Sequence, residues 1–202
     1  MKNNEELINQ LGLQDKITLE DIPDIDLYMD QVIQLFESKF KMSKRNDDEK
    51  VLTKTMINNY AKGKVFFPIK NKKYSKRHLI VISLIYQLKG TLSISDIKTV
   101  LGPLNTKIVE EDFQLDELYS SFLRLTDHNA HKFKEDILES ISEAKEAGVH
   151  LGGNLDEFND EYFERLLMIA SLSHMSQLYK KAAENLVDEF NSEYNSGNKT
   201  KS

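Results

Sequence analysis

Polar and basic side chains between residues 53 and 77 have the types and the spacing that DNA recognition requires. Amide groups can pair with adenine edges, and hydroxyl groups can bind a base or a phosphate. The candidates for contacts with bases are Thr53, Lys54, Thr55, Asn58 and Asn59. The candidates for contacts with phosphates are Lys62, Lys70, Lys72, Lys73, Tyr74, Lys76 and Arg77. Contacts of the first kind specify a sequence, and contacts of the second kind position the protein on the backbone.

The distribution of charge singles out the same part of the chain. The 202 residues have a formal net charge of −6, but residues 39–78 carry 13 basic and 3 acidic side chains. This basic block has a net charge of +10, between segments of −7 (residues 1–38) and −10 (residues 105–202). Clustered lysine and arginine release counterions from phosphate backbones, which favours a polyanion partner. A solvated basic surface that balances acidic neighbours is the alternative interpretation.

The elements that would position these side chains follow from periodicity and capping residues. Helix-period apolar residues predict a helix from Asp26 to about Phe36, and residues 43–50 read as a loop. Thr53 is a natural N-cap for a helix from Lys54 to Lys62, and Gly63 is a natural C′ residue. The short helix would present Asn58, Asn59 and Lys62 on one side.

A β-prone run and three further features follow this short helix. Residues 64–69 are β-prone, and residues 70–73 form a basic turn. Ser75 is expected to cap a largely buried helix from His78 to Lys89. Ser93 and Asp96 resemble a capping box for a helix from Ile94 to Leu101, which Gly102-Pro103 is expected to stop sharply.

The ends of the chain are predicted to be helical. Residues 5–13 form a short helical stretch. Acidic amphipathic helices are expected over 112–147, with a break at 126–129, and over 157–190, with Asp156 as its N-cap. Gly148, Gly152 and Gly153 would connect the two, and the polar residues after 190 would form a frayed tail.

Three stretches resemble the N-terminal region of MerR-type regulators. They are LTKTMINNYAKGKVFFP at 52–68, KYSKRHL at 73–79 and LSISDIK at 92–98. LYMDQV at 27–32, together with LTKTMINNY at 52–60, resembles more closely an uncharacterised bacterial family, domain-of-unknown-function family 1836. The resemblance covers about residues 18–104 and implies a winged helix-turn-helix. The second family has no assigned activity, so it informs the fold more than the function.

The chain departs from the MerR pattern in ways that bear on DNA binding. Ile57, Asn58 and Asn59 stand where that family usually has Arg-Tyr-Tyr, its phosphate-clamping residues. The loop at 43–50 is longer than a tight helix-turn-helix turn, and the wing lacks its usual glycine. A domain that binds protein in place of DNA is therefore a second interpretation.

Other chemistry has little support in the sequence. With no cysteine, the chain has no disulfide, thiolate metal site or cysteine nucleophile, which also excludes thiol-based sensing. His128 and His131, with Asp127 nearby, could ligate a metal, but the stretch reads equally well as a polar helix break. Phosphate-loop, dinucleotide and serine-hydrolase motifs are missing. We expect neither enzymatic activity nor a metal or cofactor.

We predict a mainly α fold, a MerR-like winged helix-turn-helix followed by a helical C-terminal region. The predicted parts are an N-terminal helical extension (1–17), the winged domain (18–104), a helical packing or dimerisation region (105–190) and a disordered tail (191–202). We expect a transcriptional regulator that binds double-stranded DNA as a homodimer, with an unknown small-molecule effector as a possible further partner. Because no signal-peptide pattern and no apolar run long enough to span a bilayer is present, we expect the protein to be cytoplasmic and to have no membrane partner. The alternative is a helical protein-interaction or small-ligand-binding module whose winged domain no longer binds DNA.

Overall fold

The computed structural model describes residues 4–110, 113–152 and 160–199 and is mainly helical, as predicted. The structure does not describe residues 1–3, 111–112, 153–159 and 200–202. Four residues of the predicted C-terminal elements therefore lie outside the described residues: Asp112, Gly153, Asp156 and Glu157. The helices are α1 (Asn4–Asn9), α2 (Met29–Lys39), α3 (Lys54–Lys62), α4 (Lys76–Leu88), α5 (Ile94–Glu110), α6 (Leu115–Gly152) and α7 (Asp160–Lys199). Two short strands, β1 (Leu27–Tyr28) and β2 (Lys73–Tyr74), complete the described elements.

The chain divides into two compact units, each with its own apolar core. One unit comprises Met1–Gln14 and Arg124–Lys181, and the other comprises Asp15–Leu123 and Ala182–Ser202. We call the second one the basic unit, because it contains residues 39–78. The first, called here the distal unit, buries Ile8 of α1 with side chains of α6 and α7.

Helix α4 forms the centre of the basic unit's core. Leu79, Ile80, Ile82 and Ile85 are fully buried, which confirms the prediction of a largely buried helix. A helix that is apolar on nearly all sides must be covered on all sides. Helices α2 and α5 supply part of that cover, and the end of α7 adds Ala183 and Val187.

Helix α3 begins and ends at the predicted residues, but its C-terminal cap differs from the prediction. The Thr53 Oγ1 accepts a hydrogen bond from the Met56 N–H at 3.1 Å, which confirms the N-cap. Gly63 is the C-cap in right-handed conformation, and Lys64 occupies the left-handed C′ position with φ 55°. The Val65 N–H donates to the Tyr60 carbonyl (2.9 Å) and the Lys64 N–H to that of Ala61 (3.1 Å), the bonds of a Schellman motif.

The β-prone run at 64–69 is not a strand. Its backbone groups are used otherwise, since the Val65 N–H caps α3 and the Val65 carbonyl accepts from the Asn105 Nδ2 at 2.8 Å. Pro68 has no N–H to donate. The observed sheet pairs β1 with β2 in antiparallel register, Leu27 with Tyr74 and Tyr28 with Lys73.

Helix α5 continues through Gly102 and Pro103, so the predicted sharp stop at these residues is wrong. The reciprocal start is as predicted, with the Ser93 N–H donating to Asp96 Oδ2 (3.1 Å) and the Asp96 N–H to Ser93 Oγ (3.2 Å). Proline removes one helical hydrogen bond. Burial of Leu101 and Ile108 on either side of it holds both halves of the helix against the core.

The C-terminal helices are longer than predicted. Helix α6 passes without interruption through 126–129, the expected break, and through Gly148, an expected connection. Helix α7 continues to Lys199, so residues 191–199 are helical where a disordered tail was predicted. Phe190 and Tyr194 stack one turn apart with ring centroids 6.2 Å apart, which extends the helix beyond its last buried residue.

Within the distal unit, Gly148 marks a close approach of two backbones. A Cβ added at Gly148 would lie 3.0 Å from both the Asp160 carbonyl oxygen and the Glu164 nitrogen. Only a residue without a side chain allows α6 and the first turn of α7 to approach so closely. Glycine therefore has a packing role here, inside a helix where it is otherwise unfavourable.

Among the residues that the structure describes, no helix combines the length and apolarity needed to cross a bilayer.

Candidate nucleic-acid interface

The outer face of α3 carries four of the predicted contact residues. Thr55, Asn58, Asn59 and Lys62 are exposed and follow the i, i+3, i+4, i+7 spacing of one helical face. Ile57 and Tyr60, on the other side, are buried and anchor the helix to the core. In the part of the chain that the structure describes, the Thr55, Asn58 and Asn59 side chains have no hydrogen-bond partner. Their donors and acceptors are available to a partner molecule.

The first residues of α3 are already engaged within the protein. The Thr53 hydroxyl oxygen caps the helix, as described above. The Lys54 Nζ lies 2.7 Å from the Asp30 Oδ1 of α2, and both side chains are about two-thirds exposed. An exposed ion pair of this kind contributes about 0–1 kcal/mol, so a phosphate could replace the carboxylate at little cost.

A tight basic turn joins residues 70–73, as predicted. The Lys73 N–H donates to the Lys70 carbonyl at 2.9 Å, and Asn71 and Lys72 both have positive φ angles (50° and 58°). Two consecutive positive φ values are the signature of a type I′ turn, whose twist suits a two-stranded hairpin. Lys70 and Lys72 are exposed, while the Lys73 Nζ lies 5.1 Å from the centroid of the Tyr28 ring.

The start of α4 is less available than predicted. The Lys76 Nζ forms an ion pair with the Asp116 Oδ2 at 2.7 Å, and the Arg77 Nη1 donates to the Ile108 carbonyl at 3.1 Å. Tyr74 is 1 % exposed, so its assignment as a phosphate contact is wrong. The ring packs edge-on against Phe66 in the core, and burial raises the pKa of its hydroxyl group.

Acidic side chains from outside the basic block neutralise part of it. Four lysines of the block pair with carboxylates that precede or follow it: Lys39 with Asp21, Lys44 with Glu37, Lys54 with Asp30 and Lys76 with Asp116. The net charge of the segment therefore overstates the free positive charge at the surface. Lys62, Lys70 and Lys72 are exposed and have no ion-pair partner in the described chain.

The role of His78 at the start of α4 was not predicted from the sequence. The Ser75 N–H donates to the His78 Nδ1 at 3.2 Å, which closes a reciprocal cap at the start of α4. Burial lowers the pKa of His78, while the Phe67 and Pro68 carbonyls and the Asp26 carboxylate raise it less. The Ser-x-x-His spacing was the available signal, because it places His78 at the N3 position.

The candidate metal ligands do not form a site. Across the described ranges, no group of three histidine, aspartate or glutamate side chains is arranged to hold a metal ion. Asp127, His128 and His131 lie on the uninterrupted helix α6, where the sequence had suggested a break as the other interpretation.

Comparison with known proteins adds a family but no function. No curated protein and no solved structure matches the chain. One family model, described as a domain of unknown function (DUF1836), matches residues 17–122, which is more than half of the chain. The matched range contains α2 to α5, the strands β1 and β2 and the first turns of α6, and so includes every residue of the candidate interface. The chain therefore belongs to the DUF1836 family of domains of unknown function.

Proposed function

We propose that the protein is a transcriptional regulator that binds double-stranded DNA through α3. The proposal includes a MerR-like winged helix-turn-helix within residues 18–104, with α3 as the recognition helix. The observation that carries it is the exposed row of Thr55, Asn58, Asn59 and Lys62, whose amide, hydroxyl and ammonium groups suit base edges and phosphates. A face of this kind on a nine-residue helix anchored by Ile57 and Tyr60 has no role in the protein's own core.

The basic turn at residues 70–73 supports contacts with the DNA backbone. Lys70 and Lys72 are exposed on a turn whose geometry is fixed by the Lys73 N–H to Lys70 carbonyl hydrogen bond. Cations on a rigid turn can contact phosphates without a large loss of conformational freedom.

A homodimer is part of the proposal, because one recognition helix reads too few base pairs for useful specificity. In the distal unit, α7 presents Tyr162, Leu166 and Ile169 at i, i+4 and i+7, and each is at least 46 % exposed. Apolar side chains at this spacing suit contact with a second helix. We further propose that the protein acts in the cytoplasm and is not an enzyme.

Selection of bound genomic fragments, followed by fluorescence anisotropy at several salt concentrations, tests DNA binding. Replacing Lys72 and Lys73 by glutamate should abolish binding. A matched double change of Lys132 and Lys134, two exposed lysines of the distal unit, to glutamate should leave it unchanged. A milder pair, Lys70→Ala and Lys72→Ala, should lower the slope of log affinity against log salt by about 2. If no fragment binds at low salt, the proposal is wrong.

The recognition face of α3 has a separate test. Asn58→Ala should reduce the preference for the selected sequence over a scrambled one, whereas Lys70→Ala should weaken both by the same factor. Equal effects of Asn58→Ala on both sequences would show that α3 does not read bases.

The four ion pairs that neutralise part of the basic block favour a second candidate function. In that case the basic unit binds a protein or a small ligand and has lost DNA binding. Salt-insensitive binding of a protein partner, combined with failure of the DNA selection, would favour this candidate.

A further inference from the structure

A cavity of about 400 Å³ in the basic unit lies where the basic turn at residues 70–73 meets the start of α4. Its lining has two distinct parts. Lys70, Lys73 and Arg77 contribute cationic side chains, and Phe67, Pro68 and Ile108 contribute apolar ones. The volume is within the range of pockets that bind small molecules, about 300–1,000 Å³.

The charged part of the cavity favours an anion. Among the lining residues that the structure describes, Asp26 is the single carboxylate, and its side chain is exposed. The Arg77 Nη1 is held at the wall by its hydrogen bond to the Ile108 carbonyl. Ser75, the N-cap of the 13-residue helix α4, also lines the cavity, and the first turn of this helix contains no acidic residue. The helix itself therefore has no carboxylate that offsets the partial positive charge of its N-terminus.

His78 supplies an independent observation that points to a ligand. A backbone N–H can only donate, so the His78 Nδ1 that receives the Ser75 N–H is an acceptor, and the proton of the neutral ring is on Nε2. The side chain is 5 % exposed and lines the cavity, yet its Nε2 has no hydrogen-bond partner among the residues that the structure describes. The Phe67 and Pro68 carbonyls approach the ring without forming a hydrogen bond of acceptable geometry. A buried donor without an acceptor is unfavourable and calls for an explanation.

We propose that this cavity binds a small organic anion, with one carboxylate or phosphate group attached to an apolar body. The anionic group lies against Lys70, Lys73 and Arg77 and provides the acceptor that the His78 Nε2–H lacks. The apolar body lies against Phe67, Pro68 and Ile108. Because Lys70 and Lys73 are also proposed phosphate contacts, the ligand and DNA compete. Only this competition depends on the proposed function.

Titration of the full chain with phenyl phosphate, followed by calorimetry and by NMR of the histidine ring nitrogens, tests the site. Benzoate, inorganic phosphate and phenol provide the carboxylate analogue, the anionic group alone and the apolar body alone. We expect saturable binding of phenyl phosphate or benzoate, at least about tenfold tighter than of inorganic phosphate or phenol, with a shift of the His78 Nε2 resonance. Equal affinity for phenyl phosphate and inorganic phosphate, or no saturable binding of either organic anion, would overturn the proposal.

Lysine variants separate the cavity from the surrounding basic surface. Lys70→Gln and Lys73→Gln should each weaken phenyl phosphate binding about tenfold or more. Lys72→Gln is the matched control, since Lys72 belongs to the same turn but does not line the cavity. An equal loss in the Lys72 variant would show a diffuse attraction and refute a built site.

The same variants distinguish failure of this inference from failure of the proposed function. Lys72→Gln should reduce DNA affinity while leaving phenyl phosphate binding intact. Saturating phenyl phosphate should displace DNA from the native protein. Binding of phenyl phosphate without any DNA binding supports the cavity and contradicts the regulator, whereas DNA binding without phenyl phosphate binding does the opposite.

Discussion

Two glycines inside helices should respond in opposite directions to the same substitution. Gly102 lies in α5, and a Cβ built there meets no atom within 4 Å. Gly148 lies in α6, and a Cβ there meets two backbone atoms at 3.0 Å and the Glu164 Cα at 3.3 Å. Gly102→Ala and Gly148→Ala both gain helix propensity, but at Gly102 the new Cβ also lies next to Pro103, and at Gly148 it meets the backbone of α7.

The expected free energies follow from these distances. Alanine is favoured over glycine in a helix interior by about 1 kcal/mol, through the lower entropy of the unfolded chain. Gly102→Ala should raise the free energy of unfolding by less than about 1 kcal/mol, because a Cβ in the residue before Pro103 disfavours helical backbone. At Gly148 the methyl group must displace backbone atoms of α7, and overpacking of this kind costs about 1–3 kcal/mol. The net effect of Gly148→Ala is a loss of about 0–2 kcal/mol, so Gly148→Ala should be the less stable variant.

Urea unfolding followed by circular dichroism at the helical band measures both variants. Amide hydrogen exchange in α6 and α7 shows whether the loss in Gly148→Ala is local to the distal unit. If Gly148→Ala stabilises the protein as much as Gly102→Ala, the backbones of α6 and α7 do not approach each other at Gly148, and the reasoning fails.

Three further predictions concern capping and titration. Lys64→Gly should stabilise the protein by about 1 kcal/mol in urea unfolding, because Lys64 is held at φ 55° and glycine adopts that conformation without a Cβ penalty. The control Lys62→Gly lies in the last turn of α3 and should destabilise the protein. Thr53→Ala should lower the free energy of unfolding by about 1 kcal/mol, because it removes the cap on the Met56 N–H. Thr53→Ser keeps a hydroxyl group and should retain most of this stability, so an equal loss in both variants would argue against the cap. Burial lowers the pKa of His78 below its ordinary value of 6.5, so the unfolded chain takes up the proton first and stability should fall as pH drops below 6.5; His78→Gln should show a flatter dependence in the same denaturation series.

Local signals predicted the elements of the basic unit well. Thr53 and Ser75 begin α3 and α4 as expected, because an N-cap is a contact between a side chain and a backbone group three residues away. The period of the apolar residues in α4 was sufficient to indicate its burial. The exposed row on α3 could also be predicted, since the helix and its buried side fix which residues remain outside.

Signals that depend on distant parts of the chain were misread. Val65 loses its place in a strand because Asn105, forty residues away, binds its carbonyl. Pro103 is tolerated inside α5 because the core holds both ends of the helix. Tyr74 is buried by packing that no local pattern reveals, and four lysines find carboxylates that are close only after folding.

The contribution of α7 to the basic unit has a consequence for biosynthesis. Val187 completes a core whose other buried members lie between residues 17 and 119. On the ribosome, the segment that carries Val187 is therefore made only after all the other buried residues of this core have been translated. Until α7 is made, the part of the core that Val187 covers stays exposed. A recombinant fragment that ends at residue 122 lacks α7, so this part of its core would remain exposed.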